Sequence, residues 1–155
     1  MVEVLVSLVV LSIGLLGIGK LVLFSARAND SAYLRSQATA LAYEILDNMR
    51  ANLPTAKAQG YDVALATVPN APQGCLSSIC SAVQVANYDV YTWKQRLQVL
   101  PAGQGSVVTS ATTPVTATIT VQWDDEAAQS TFAGTAAGVA TAGNLQSIVL
   151  ETVLQ

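Results

Sequence analysis

The first stretch of the chain, Met1 to Phe24 (MVEVLVSLVVLSIGLLGIGKLVLF), limits what the remainder can be. It carries no charge from Val4 to Gly19. A helix rises about 1.5 Å per residue, so this stretch reaches roughly the 30 Å of a bilayer core and can span a membrane. A secretory signal peptide would open with a basic region, carry a shorter apolar run and close on a small-residue cleavage site. Here Glu3 stands near the start and no such site follows. Arg27 to Arg50 keeps a helix-compatible pattern with no proline before Pro54, so the apolar and polar stretches are expected to form one rod.

About 130 residues remain outside the apolar stretch, enough for one ordinary domain with a small core. The net charge of −3 comes from 10 acidic and 7 basic residues, so there is no basic footprint for nucleic acid. Histidine is absent, which removes Ser-His-Asp and Cys-His catalysis together with the commonest transition-metal ligand. An enzyme is not expected, and neither is a cofactor. The two cysteines, Cys75 and Cys80, would lie outside the membrane if the rod is an anchor. A disulfide closing a short loop is the expected outcome. A zinc site would need two further ligands from carboxylates, and a redox pair would more often have two intervening residues.

Glu3 has two readings. It is an interfacial residue favoured by the positive end of the helix dipole, or a charge seeking a partner. A carboxylate at the bilayer centre costs on the order of 2.5–3.5 kcal/mol, so it must sit shallow or find a cation. Gly14, Gly17 and Gly19 make the softest part of the rod, each costing up to about 1 kcal/mol relative to alanine, and mark where it can bend or unwind. Their spacing does not make a G-x-x-x-G dimer motif. Lys20 is expected to snorkel towards headgroups.

From Ser25 the helix turns amphipathic. Leu34, Ala38, Leu41, Ile45 and Met49 recur at spacings of four and three, with Ala42 and Leu46 widening the stripe. Leu53-Pro54 is expected to end it. Residues 54–80 read as a loop bounded by the cysteine pair. A second helix fits 81–100, with Ala86, Val90, Trp93, Leu97 and Leu100 on one face and Trp93 as a packing anchor. Beyond Gly105 the period becomes two: Ser106–Thr109 is a weak strand, and Thr116–Trp123 a half-buried one with Ala117, Ile119, Val121 and Trp123 inward. Asp124-Asp125-Glu126 is expected to be a solvated turn, since adjacent side chains diverge and the EF-hand spacing is missing. Residues 127–144 read as an exposed loop and Leu145–Leu154 as a last strand. The expected fold class is α+β, a long helix (1–53, with 1–24 apolar and 25–53 amphipathic) carrying a head (54–155) whose antiparallel strands fall within 106–155.

An apolar helix with a shallow glutamate, running into an amphipathic half and ending against a small sheet, resembles the type IV pilin family. Val2-Glu3-Val4-Leu5-Val6 looks like the start of a mature pilin. Leu15-Leu16-Gly17, Met49-Arg50-Ala51-Asn52, Tyr88-Asp89-Val90-Tyr91-Thr92-Trp93 and Val121-Gln122-Trp123-Asp124 are similar to the PilV class of minor pilins. The resemblance implies a prepilin cut and N-methylated by a prepilin peptidase, held in the inner membrane with its head in the periplasm, then drawn into a cell-surface pilus. It implies that Glu3 neutralises the amino terminus of a neighbouring subunit, favouring the partner-seeking reading. The expected role is a minor pilin that primes assembly with other minor pilins, the major pilin and the inner-membrane assembly machinery. Such a pilin supports twitching motility, adhesion and DNA uptake. The leader and first mature residues of the family pattern are not seen, and Met1 is not the expected mature end. The placement of Cys75 and Cys80 ahead of the second helix fits a minor pilin better than a major one. The alternatives are a minor pseudopilin of a type II secretion system and a single-span anchored periplasmic domain.

Overall fold

The computed structural model describes residues 2–72, 75, 79–125 and 145–155; the loop expected at 127–144 and Glu126 lie outside the described residues. The chain opens with one helix, α1 (Val2–Ala51), about 75 Å long at the standard rise. No proline interrupts it. Asn52 leaves helical geometry (φ −123°, ψ 51°), and the chain restarts at once as a five-residue helix, α2 (Leu53–Lys57). The expectation of loop from Pro54 is therefore corrected. Pro54 sits in the first turn of α2, where the missing N–H would have had no intrahelical partner.

The second long helix, α3 (Ala82–Arg96), starts at a reciprocal cap. The Gln84 amide donates to Ser81 Oγ, and the Ser81 amide donates to Gln84 Oε1 at 2.8 Å. Such a cap is worth about 1 kcal/mol. A 3-10 turn over Leu97–Val99 tightens its end. Three strands follow, β1 (Gln104–Thr109), β2 (Thr116–Asp124) and β3 (Leu145–Val153), in the antiparallel order β1-β2-β3. The register places Val107 opposite Ile119 and Ile119 opposite Leu150, so one face of the sheet is continuous and apolar.

That face meets two helical stripes. Ala38, Leu41, Ala42, Ile45, Leu46 and Met49 of α1 are buried against it, as are Ala86, Val90 and Trp93 of α3, followed by Leu97 and Leu100. Leu34 packs at the margin. The fold is thus α+β, a long amino-terminal helix packed on a small three-stranded antiparallel sheet with a second, shorter helix beside it. The cover for the α1 stripe comes from α3 as well as from the sheet. β3 contributes only half-buried Ile148 and Leu150, as an edge strand on the rim of the core would.

Polar bonds fasten α1 to the head. Trp93 Nε1 donates to the Leu41 carbonyl at 2.9 Å, Asn52 Nδ2 to the Ala82 carbonyl at 2.7 Å, and Arg96 to Glu44 Oε1 at 2.7 Å. Asp125 corrects the expected solvated turn: it is 5% exposed, and its Oδ2 accepts from Ser31 Oγ at 2.7 Å. The end of β2 is tied to α1 there. Asp47 and Arg50 form the surface pair their spacing allows, at 3.3 Å and worth only tenths of a kcal/mol.

Gly105 lets α3 close onto β1. A Cβ there would lie 2.5 Å from Trp93 Cη2 and 2.7 Å from Leu97 Cδ1. Gly105→Ala is expected to lower stability by about 1–3 kcal/mol through overpacking. Gly17→Ala meets nothing within 4 Å and is expected to leave the head unaffected. Thermal unfolding of the detergent-solubilised full chain, followed by tryptophan fluorescence, checks both.

Candidate assembly surface

The amino-terminal half of α1 presents its large apolar side chains to the outside. Its large side chains from Val2 to Phe24 are between 51 and 73% exposed. An 18-residue window of the helix has a mean hydropathy of 2.4 with none of it buried. A helix that is apolar all round is the core of something, and the described residues do not supply that core. Burying one Val, Leu or Ile side chain is worth roughly 1.5–3 kcal/mol, so the segment requires lipid or other helices around it. Ser7 Oγ donates to the Glu3 carbonyl at 2.7 Å and Ser12 Oγ to the Val9 carbonyl at 2.8 Å. Both hydroxyls are thereby satisfied within the helix and suit an apolar surrounding.

Glu3 lies exposed near the tip of this segment, and the helix runs unbroken through Gly14, Gly17 and Gly19. Cys75 and Cys80 are joined as a disulfide with a Cα–Cα distance of 5.5 Å, immediately ahead of the Ser81 cap of α3. The structure does not bring these residues together. Glu3 and the glycines occupy the bare end of the rod, and the disulfide belongs to the head at the other end. What the arrangement offers is a long apolar surface with a charge near its tip, held out from a folded head.

The head holds buried polar groups that the sequence did not single out. Lys94 is 6% exposed, and its ammonium donates to the carbonyls of Ala64 and Leu65, each at 2.9 Å, and to that of Gly105. Burial lowers its pKa to about 8. Three carbonyls match the three protons of the charged form, clamping segment 64–65 and the start of β1 to α3. The signal was present in the spacing, since Lys94 stands four residues after Val90 and so lies on the buried face of α3. Tyr61, from the segment expected to be loop, is buried too. Its hydroxyl is within hydrogen-bond distance of Asp89 Oδ2 (2.9 Å) and of the Asn48 carbonyl (3.2 Å). Burial and the bond to Asp89 push the Tyr61 pKa up. Burial raises that of Asp89, with the Tyr61 bond opposing it. These groups fasten elements together; none is a nucleophile beside a base.

Residues 21–91 match the family described as Tt1218-like, type IV pilin Tt1218. No curated protein and no solved structure matches the chain. The matched stretch starts at the end of the apolar run and extends through the amphipathic half of α1, α2, the disulfide segment and part of α3. The similarity therefore rests mainly on head-bound structure and not on an apolar anchor, which unrelated membrane proteins share. It supports placing the chain with the type IV pilins, a family of structural proteins, and it fits membrane anchoring and pilus assembly.

Two outcomes follow for the head. Lys94→Met leaves three carbonyls without their donor and is expected to cost about 2 kcal/mol or more, with cleavage near residues 64–68 in limited proteolysis as the check. Asp89 has a folded-state pKa above its ordinary 3.8, so wild-type stability rises as pH falls through the folded value towards 3.8. Asp89→Asn lacks that gain. Its unfolding midpoint relative to the wild type is expected to fall as pH is lowered through the raised folded-state pKa of Asp89 towards 3.8.

Proposed function

We propose that this chain is a minor pilin of a type IV pilus, of the PilV class, acting by assembly and not by catalysis. The observation that carries the reading is the continuity of α1: one helix is bare and apolar at one end and locked into an α+β head at the other. The bare end is held in the inner membrane, with the head in the periplasm, until the subunit enters the filament. There the lipid around Val2–Phe24 is replaced by the same segment of neighbouring subunits, which keeps the apolar area away from water throughout.

In this reading the precursor is processed and N-methylated by a prepilin peptidase, and Glu3 pairs with the amino terminus of a neighbour. Gly14, Gly17 and Gly19 are where the rod bends or unwinds on assembly, at low cost because among the described residues nothing lies within 4 Å of a Cβ position at any of them. The head, its Cys75–Cys80 loop included, meets other minor pilins and the major pilin. Priming of assembly with those partners supports twitching motility, adhesion and DNA uptake.

The test is mass spectrometry of filaments sheared from cells, comparing the wild type with Glu3→Ala. Peptides of this chain at low abundance beside a major pilin, and lost in the variant, are expected. A chain that stays in the membrane fraction while surface filaments form normally without it would refute the reading and favour a secretion pseudopilin or an anchored domain.

A further inference from the structure

The two edges of the sheet are built differently. Along β1, Val107 exchanges two backbone hydrogen bonds with Val63, each at 3.0 Å, so that edge is bridged. Along β3 no further strand follows among the described residues. The Leu154 amide donates to the Val115 carbonyl at 2.9 Å, one step beyond the Thr116–Val153 pair. Hydrogen-bonded positions alternate in an antiparallel ladder, so Ile148, Leu150 and Thr152 turn their backbone groups to β2. Leu145, Ser147, Val149, Glu151 and Val153 turn theirs to the open edge. Edges are ordinarily blunted by proline, lysine, a bulge or short length. β3 runs nine residues in unbroken register with β2 and contains neither proline nor lysine. Its core face is unfinished, since Ile148 and Leu150 pack on the core yet stay half-buried. The charge on this side has one sign. From Leu97 to Gln155 the chain holds Asp124, Asp125, Glu126 and Glu151, and no lysine or arginine.

We propose that the open edge of β3 takes up an antiparallel strand from a different, basic polypeptide, with a lysine or arginine opposite Glu151 and apolar residues opposite Leu150 and Ile148. Backbone bonds to the five outward-turned residues supply the affinity, and the alternate side chains supply the specificity. The antiparallel sense continues a sheet that is antiparallel throughout. Positions opposite Ile148 and Leu150 are the non-hydrogen-bonded ones, where side chains of paired strands come closest, so apolar residues there complete the core face. Glu151, exposed and the one charge of β3, finds its match in a cation directly across. A second copy of β3 does not fit, because it brings no cation. The two-fold axis of such a self-pairing would also stand perpendicular to the sheet and reverse α1, sending the two bare apolar ends in opposite directions. The proposal concerns the head alone and does not rest on the filament reading.

The test uses the full chain in detergent micelles and a blocked peptide, Ser-Thr-Lys-Val-Thr-Val-Thr-Ser, whose lysine can stand opposite Glu151 and whose valines can stand opposite Leu150 and Ile148. Titration is expected to give a Kd of about 100 µM or tighter. Amide exchange read by NMR is expected to slow at Ser147, Val149 and Glu151 when the peptide binds, and to stay unchanged at Ile148 and Leu150, which are already paired. Val149→Pro removes one outward donor and leaves the β2 ladder whole. It is expected to weaken binding about tenfold while the unfolding midpoint stays near that of the wild type. Glu151→Lys is expected to weaken binding about fivefold, with recovery when the peptide carries glutamate in place of its lysine. No binding at about 1 mM peptide, or binding that Val149→Pro leaves unchanged, overturns the proposal. Slow exchange at Ser147, Val149 and Glu151 in the chain alone also overturns it, because the edge is then covered by the chain itself or by a second copy.

Discussion

The governing constraint is a mismatch of length. α1 extends for about 75 Å, whereas its fully buried residues, Ala38 to Met49, occupy only about 18 Å of it. No rearrangement of a head this size could cover the remainder. The exposed apolar surface from Val2 to Phe24 is therefore a built-in demand for a second environment, and every functional statement about the chain follows from what can satisfy it. Lipid satisfies it for a single copy. Other rods satisfy it for many, and only the second solution makes use of a head carried at a fixed distance from the anchor.

The core was legible because it is periodic. Spacings of four and three in α1 and α3, and of two in β2, mark apolar faces that need only a partner, and Ala38, Ile45, Trp93, Leu97, Ile119 and Trp123 are all buried. The polar interior was not legible, because each of its members depends on chain far away. Lys94 finds acceptors at residues 64, 65 and 105. Asp125 sits in an acidic run that reads as solvated, and Ser31, 94 residues earlier, takes it inside. Tyr61 stands alone in a stretch punctuated by proline and glycine, where no period exists to place it. Pro54 was misread because proline both ends helices and starts them, and only the backbone at Asn52 tells which.

The candidate assembly surface was legible for the opposite reason. The side chains of this stretch stay exposed, so its chemistry stays local, and two charges in an apolar stretch mean the same thing in the sequence as in the fold. The disulfide was similarly local, closing between cysteines five residues apart.

How the head is fastened bears on how the rod can move. Trp93 donates to a backbone carbonyl of α1, and the Tyr61 hydroxyl lies against another, so two of the ties grip the helix itself and not its side chains. Together with the Arg96–Glu44 pair and the apolar stripe, they hold Leu41 to Met49 from several directions. A backbone held in that way resists local unwinding, because any change of pitch would break several contacts at once. The nearest of the three glycines, Gly19, lies 19 residues before Ala38, about 28 Å along the axis. Distortion at the glycines costs only the helix hydrogen bonds lost there, and the intervening turns carry a rigid displacement to the head without disturbing its core. In the proposed reading, a bare half that gives way at the glycines and a clamped half together let one helix change surroundings while its head keeps one structure.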